Sequence, residues 1–204
     1  MKILYELYED DYDRRIELYK LIDEATFFLN GFVHKHNCRY CDNENLHLFR
    51  EGHTQFPQKL NVWAGILGNE IIGPFFLEQN LTGQLYLNLL ENEVNPRILQ
   101  SLQDQQDRAP PHYTLAVKWI GRRGAIDWPA RSLNLTPLDF FLWGYLKSKV
   151  YKTPIESIQE LKNGITLECR GITRQTFINV HKEFDNRLYY CLENNGSHFE
   201  HLIK

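Results

Sequence analysis

The chain has 204 residues, room for one domain and at most a small appendage. Hydrophobic residues make up 43%, aromatic residues 13% and charged residues 24%, which excludes a disordered chain and supplies a substantial core. A formal charge of −3 excludes a protein whose whole surface coats nucleic acid, so any contact with DNA needs a local basic patch.

No apolar run reaches the roughly eighteen residues that a membrane span needs. The opening Met1-Lys2-Ile3-Leu4-Tyr5 turns acidic at Glu9-Asp10-Asp11, unlike a secretory leader. Cys38, Cys41, Cys169 and Cys191 are too few for a disulfide scaffold in a chain of this size. These features lead us to expect a soluble, intracellular protein in a reducing compartment.

Residues Tyr12 to Leu21 carry apolar side chains at helical spacing and predict a short helix. Leu21 to Leu29, LIDEATFFL, predicts a strand, and Asn30-Gly31 predicts a turn. Val33 to His53 is polar and irregular, with room for a short strand around Cys38 to Cys41. LNVWAGIL (Leu60 to Leu67) and IIGPFFL (Ile71 to Leu77) predict two strands joined by a hairpin at Gly68-Asn69.

Thr82 predicts the cap of a helix reaching about Val94, with Leu85, Leu89 and Leu90 on one face. Ile98 to Asp107 reads as a further strand, ended by Ala109-Pro110-Pro111. A short helix at Tyr113 to Ile120, a short strand at Ala125 to Trp128 and a loop from Pro129 to Pro137 follow. Pro137 opens a helix to about Val150, and two helices, Ile155 to Cys169 and Arg174 to Asn194, end the chain. This order predicts a mixed α/β sheet with a helical C-terminal flank. Trp63, Trp143 and the Phe140-Phe141 pair read most simply as core.

Among 26 acidic residues, three are unusual in their placement. Asp23 lies inside an apolar strand, where a carboxylate without a partner is costly. Asp107 ends a predicted strand just before Ala-Pro-Pro, and Asp139 opens the aromatic helix LDFFLWGYL. Carboxylates on the rims of separate elements suit a divalent cation such as Mg²⁺, which takes oxygen ligands. Placement alone favours reading Asp139 as a charge held by the helix dipole.

Longer strings carry a resemblance. DEATFFLNG (Asp23 to Gly31), NVWAGIL (Asn61 to Leu67), IIGPFF (Ile71 to Phe76) and LTGQLYLNLLENEV (Leu81 to Val94) resemble the mariner-type transposase catalytic domain. So do QQDRAPPHY (Gln105 to Tyr113), WPARSLNLTPLDFFLWGYLKSKVY (Trp128 to Tyr151) and CLENNGSHFEHLI (Cys191 to Ile203). The strings run in order over nearly the whole chain.

The resemblance implies an RNase H-like mixed sheet flanked by helices. It implies a catalytic domain over 21–152, a short helical remnant over 1–20, and a C-terminal flank of the same domain over 153–204. It also implies that Asp23, Asp107 and Asp139 are catalytic and bind two Mg²⁺ or Mn²⁺ ions. The implied reaction is hydrolysis of a phosphodiester at a transposon end, then attack of the freed 3′ hydroxyl on target DNA. The implied partners are transposon-end and target DNA, and the expected location is the nucleus, or the cytoplasm before import. A homodimer is compatible with the residues, and no membrane is involved.

The sequence departs from the family pattern in several places. The family's helix-turn-helix region is expected to be missing, and specific end recognition with it. Asp107 and Asp139 are separated by only 31 residues (108–138), as though a piece near Val117 to Trp119 were lost. Arg108 stands where glycine is usual, and Asn134 where aspartate is usual. A guanidinium at 108 either forks onto Asp107 in competition with metal or points outward to DNA phosphate. Asp104 places a further charge in the expected strand. These departures keep open an alternative, a catalytically inactive nucleic-acid-binding remnant.

Lys118, Arg122, Arg123 and Arg131 form a local basic segment, the candidate DNA surface, since phosphate contacts supply most non-specific affinity. His112 is a further candidate for phosphate or ligand contact, or alternatively caps the next helix. His34, His36, Cys38, Cys41 and His47 have zinc-ligand chemistry, but their spacing is not that of a zinc module.

Overall fold

The computed structural model describes residues 21–31, 58–77, 82–106, 135–194 and 199–203. The helix expected at 12–21, the elements expected at 113–120 and 125–128, and the strand near Cys38 lie outside these residues, apart from Leu21 itself.

Three antiparallel strands, β1 (Leu21–Phe28), β2 (Lys59–Leu67) and β3 (Glu70–Leu77), form a sheet in the order β1-β2-β3. The strands expected at Leu21 to Leu29, Leu60 to Leu67 and Ile71 to Leu77 are present, as is the hairpin at Gly68-Asn69. Gly68 has φ 56, the left-handed backbone that a tight two-residue hairpin demands. Gly31, after β1, also takes a positive φ of 72.

Register decides which side chains share a face. Asp23 pairs with Ala64, Ala25 with Val62 and Phe27 with Leu60. Because side chains alternate along a strand, Asp23, Ala25 and Phe27 point to one side, together with Leu60, Val62, Ala64 and Ile66. Trp63, Leu67, Ile72 and Phe75 point to the other side, and Ile22 packs there. From β2 to β3 the register shifts between Trp63 and Gly65, opposite Gly73-Pro74. Proline has no N–H to give to the ladder, so it suits such an irregularity.

Helices cover both faces. On the second face, α1 (Gly83–Leu89), a π-helical turn (Leu90–Val94) and α2 (Asn95–Gln106) bury Leu89, Val94 and Ile98 against Trp63 and Phe75. Thr82 caps α1 as expected, its hydroxyl accepting from the Leu85 N–H at 3.3 Å. The Arg97 guanidinium lies 4.9 Å above the Phe75 ring and ties α2 to β3.

Two expectations fail here. The strand expected at Ile98 to Asp107 is helix up to Gln106. Buried Val94 and Ile98 are four residues apart with exposed residues between them, a helical period, and Ile98 is the only β-branched residue of NPRILQSLQDQQ. The helix passes Pro96 through the π turn, in which the Asn95 N–H reaches the Leu90 carbonyl. Asp104 therefore lies in a helix rather than a strand. Leu85 does not join Leu89 in the core. It remains 39% exposed, and the half-buried Tyr86 packs there instead.

The first face carries the larger core. A π turn (Leu138–Leu142) continues into α3 (Trp143–Val150), followed by α4 (Ile158–Gly171) and α5 (Arg174–Glu193). Leu138, Leu142, Trp143, Leu146, Leu161, Ile165 and Phe177 pack onto Phe27, Val62, Ala64 and Ile66. Each fully buried leucine, isoleucine, valine or phenylalanine among them contributes about 1.5–3 kcal/mol. The helix expected from Pro137 to Val150 is present. α4 starts at Ile158 rather than Ile155, because Ser157 takes the cap and accepts from the Glu160 N–H at 3.1 Å. Trp63 and Trp143 are core, as expected, and Phe140 and Phe141 are half-buried against it. The described residues thus form three layers, helix, sheet and helix. No described helix is long and apolar enough to cross a membrane.

Candidate metal centre

Asp23 lies on the first face of β1, near the start of the strand, among side chains destined for the core. Burial pushes its carboxyl above the usual carboxylate range. Two hydrogen bonds act against that cost. The Trp143 indole Nε1–H donates to Asp23 Oδ2 at 3.0 Å, and the Glu24 backbone also favours the charged form. Glu24, on the opposite face, is raised by its own burial and then by the neighbouring Asp23.

Asp139 sits in the first turn of the Leu138–Leu142 segment, between the fully buried Leu138 and Leu142. Its backbone N–H reaches the Thr136 carbonyl at 2.9 Å. Pro137 precedes it with a preset helical φ, and the helix dipole favours its charge. Trp143 follows four residues later, one turn along the same helix. The side chain that grips Asp23 therefore grows from the helix that carries Asp139. The indole thus links Asp23 to the helix of Asp139, although the two acids are 116 residues apart in sequence.

The third acid, Asp107, follows the last residue of α2 and lies outside the described residues, as does Arg108. So do the basic candidates Lys118, Arg122, Arg123 and Arg131, His112, and the His34, His36, Cys38, Cys41 and His47 set. Among the described residues, no three His, Cys, Asp or Glu side chains cluster as a metal site.

The Trp143 contact to Asp23 is a feature that the sequence reading missed. Its signal was available, since a buried tryptophan needs an acceptor for its N–H. A second omission is Arg187 on α5. It is 8% exposed, its Nε donates to Glu183 Oε1 at 2.7 Å, and its guanidinium lies 4.3 Å over the Phe140 ring. Phe140 is the residue after Asp139, so α5 braces the turn that holds this acid.

No family model matches the chain. The Transposable element Tc3 transposase of Caenorhabditis elegans is 24% identical over 149 residues, covering 67% of this chain and 44% of that protein. The chain thus spans less than half the length of this curated relative. Among solved structures, the Mos1 transposase paired-end complex with left transposon end superimposes with a TM-score of 0.70 at 15% identity, covering 98% of this chain and 61% of that one. The Mos1 mariner paired end complex with Mn gives the same values. The catalytic domain of Mos1 mariner transposase alone gives 0.68 at 14% identity, over 98% and 91% of the two chains.

The layered sheet and these superpositions show an RNase H-like α/β fold. More narrowly, the fold is that of the Mos1 mariner transposase catalytic domain, and the sequence is similar to the Tc3 transposase.

Proposed function

We propose that the chain is the catalytic core of a DNA transposase that cuts a phosphodiester with divalent metal and transfers the freed strand. The observation that carries this reading is the Trp143–Asp23 hydrogen bond, which joins β1 to the helix that carries Asp139. Residues 21–152 form the catalytic domain, and 153–204 form its C-terminal flank. Similarity to a transposase and to complexes with a transposon end and with Mn supports the reading.

The donor chemistry fits hard cations. Asp23 and Asp139 offer carboxylate oxygens, and Asp107 is assigned as the third ligand. Two Mg²⁺ or Mn²⁺ ions at such a site supply activation of the attacking oxygen and stabilisation of the leaving one. The protein's own part is to offset, with indole and backbone donors, part of the cost of burying the Asp23 charge and to fix Asp139 on a buried turn. His112, Lys118, Arg122, Arg123 and Arg131 are assigned to DNA phosphates.

The test is Mn²⁺-dependent nicking of supercoiled plasmid by the purified chain, beside Asp23→Ala, Asp107→Ala and Asp139→Ala. Nicking lost in all three variants supports the reading. DNA binding without nicking favours the alternative, an inactive nucleic-acid-binding remnant, for which Arg108 beside Asp107 is the motivating feature.

A further inference from the structure

We infer that Trp143 is a positioning residue for the metal centre, fixing through its indole N–H the orientation in which the Asp23 carboxylate meets a divalent cation. This rests on the metal-dependent reading above. The argument starts from packing. Trp143 is almost fully buried, and its ring meets Phe27 edge-on with centroids 6.4 Å apart. Leu142 and Leu146 on either side of it are fully buried as well. A tryptophan held this way has no rotameric freedom to follow a moving partner, so its N–H points in one direction.

That direction is Asp23 Oδ2, at 3.0 Å. A carboxylate has two oxygens and about four lone-pair directions. The indole engages one oxygen from the side of the helix core and prevents the carboxylate from turning freely about its Cβ–Cγ bond. The remaining lone pairs are then presented in one orientation. Outer partners of this kind set ligand direction and basicity in metal sites. Phenylalanine or leucine would fill the same core without this constraint, so hydrophobic packing alone does not account for tryptophan at 143. The bond also makes the centre one unit. A shift of the Asp139 helix carries the indole with it, so the two acids move together.

The test separates shape from the donor. Mn²⁺ affinity of the purified chain is measured by electron paramagnetic resonance of free Mn²⁺, for the parent, Asp23→Ala, Trp143→Phe and a Trp143→benzothienylalanine protein. Benzothienylalanine keeps the bicyclic shape and replaces N–H by sulfur, so the core survives even where Trp143→Phe fails to fold. The expected result is parent binding that Asp23→Ala abolishes and that the benzothienyl protein weakens by about 10–100-fold, the usual effect of losing such a partner. A benzothienyl protein that binds Mn²⁺ like the parent overturns the role of Trp143 and leaves the metal-dependent reading intact. A parent with no Asp23-dependent binding overturns that reading and this assignment together.

Discussion

The guanidinium of Arg187 lies 4.3 Å above the ring of Phe140 and so clamps the residue that follows Asp139. Arg187 is buried, and its Nε is engaged by Glu183 one turn earlier on α5. One buried cation thereby orients a ring and, through it, the turn carrying an acid.

Arg187→Ala removes the ring contact and the packed stem together. The expected loss is about 1–3 kcal/mol in urea unfolding, because cation–π contacts reach about 2 kcal/mol when desolvated. Arg187→Met, which keeps an apolar stem, should recover part of it. Equal stability of the alanine variant and the parent would show that α5 does not brace the Asp139 turn.

Asp185, two residues earlier on α5, has its carboxyl pushed up to about 7 by burial. The folded protein binds this proton more tightly than the unfolded chain does. The contribution of Asp185 is therefore fully present below the ordinary value of 3.8 and is lost as pH rises through about 7. Asp185→Asn should melt above the parent at pH 8 and with it at pH 4. A variant that melts below the parent at pH 8 would refute the assignment.

His181 has the opposite sign. Its Nε2 lies 2.9 Å from the Gly68 carbonyl oxygen, which only accepts, so Nε2 carries the proton. Burial lowers the histidine below its usual 6.5 despite that bond. Its contribution is complete above 6.5 and fades as pH falls below that value. His181→Ala should cost about 0.5–1.5 kcal/mol at pH 7.5, the usual worth of one hydrogen bond, and less at pH 5. Faster amide exchange around the β2–β3 hairpin would accompany the loss.

Asp23 is predicted to cost stability when no metal is present. Burial raises its carboxyl, so the ionised form is disfavoured in the fold above the carboxylate range. Asp23→Asn should melt above the parent in EDTA at pH 7.5, and the rise of the parent with Mn²⁺ should be absent from the variant. Melting of the variant below the parent in EDTA would mean that the charge itself holds β1 to the Asp139 helix.

The sheet was legible because its strands carry two local signals at once, apolar runs and a Gly-Asn turn, and Pro137 announced the helix behind it. Ile98 to Gln106 was misread because a lone isoleucine among leucines and glutamines has no alternation. Its period appears only when Val94, across the π turn, is counted with Ile98. The site was legible by halves. A charge inside LIDEATFF marks Asp23 as unusual from sequence alone. That Trp143 would answer it depends on a register and a packing angle which no local pattern encodes. Arg187 was hidden for the same reason, since a basic residue on a long amphipathic helix ordinarily belongs to the solvent face.

The span of these contacts sets the order of assembly. Asp23 and Trp143 are 120 residues apart, and His181 and Gly68 are 113 apart, so neither pair can be made by a local hairpin. Distant pairings are paid for in loop closure before they return any stabilisation, which makes folding slow. During synthesis the Asp23 strand leaves the ribosome well before its indole donor exists. The braced acid turn must wait longer still, until α5 has emerged. The candidate centre is therefore among the last parts of the molecule to form, and a nascent chain carries the apolar face of β1 uncovered until then.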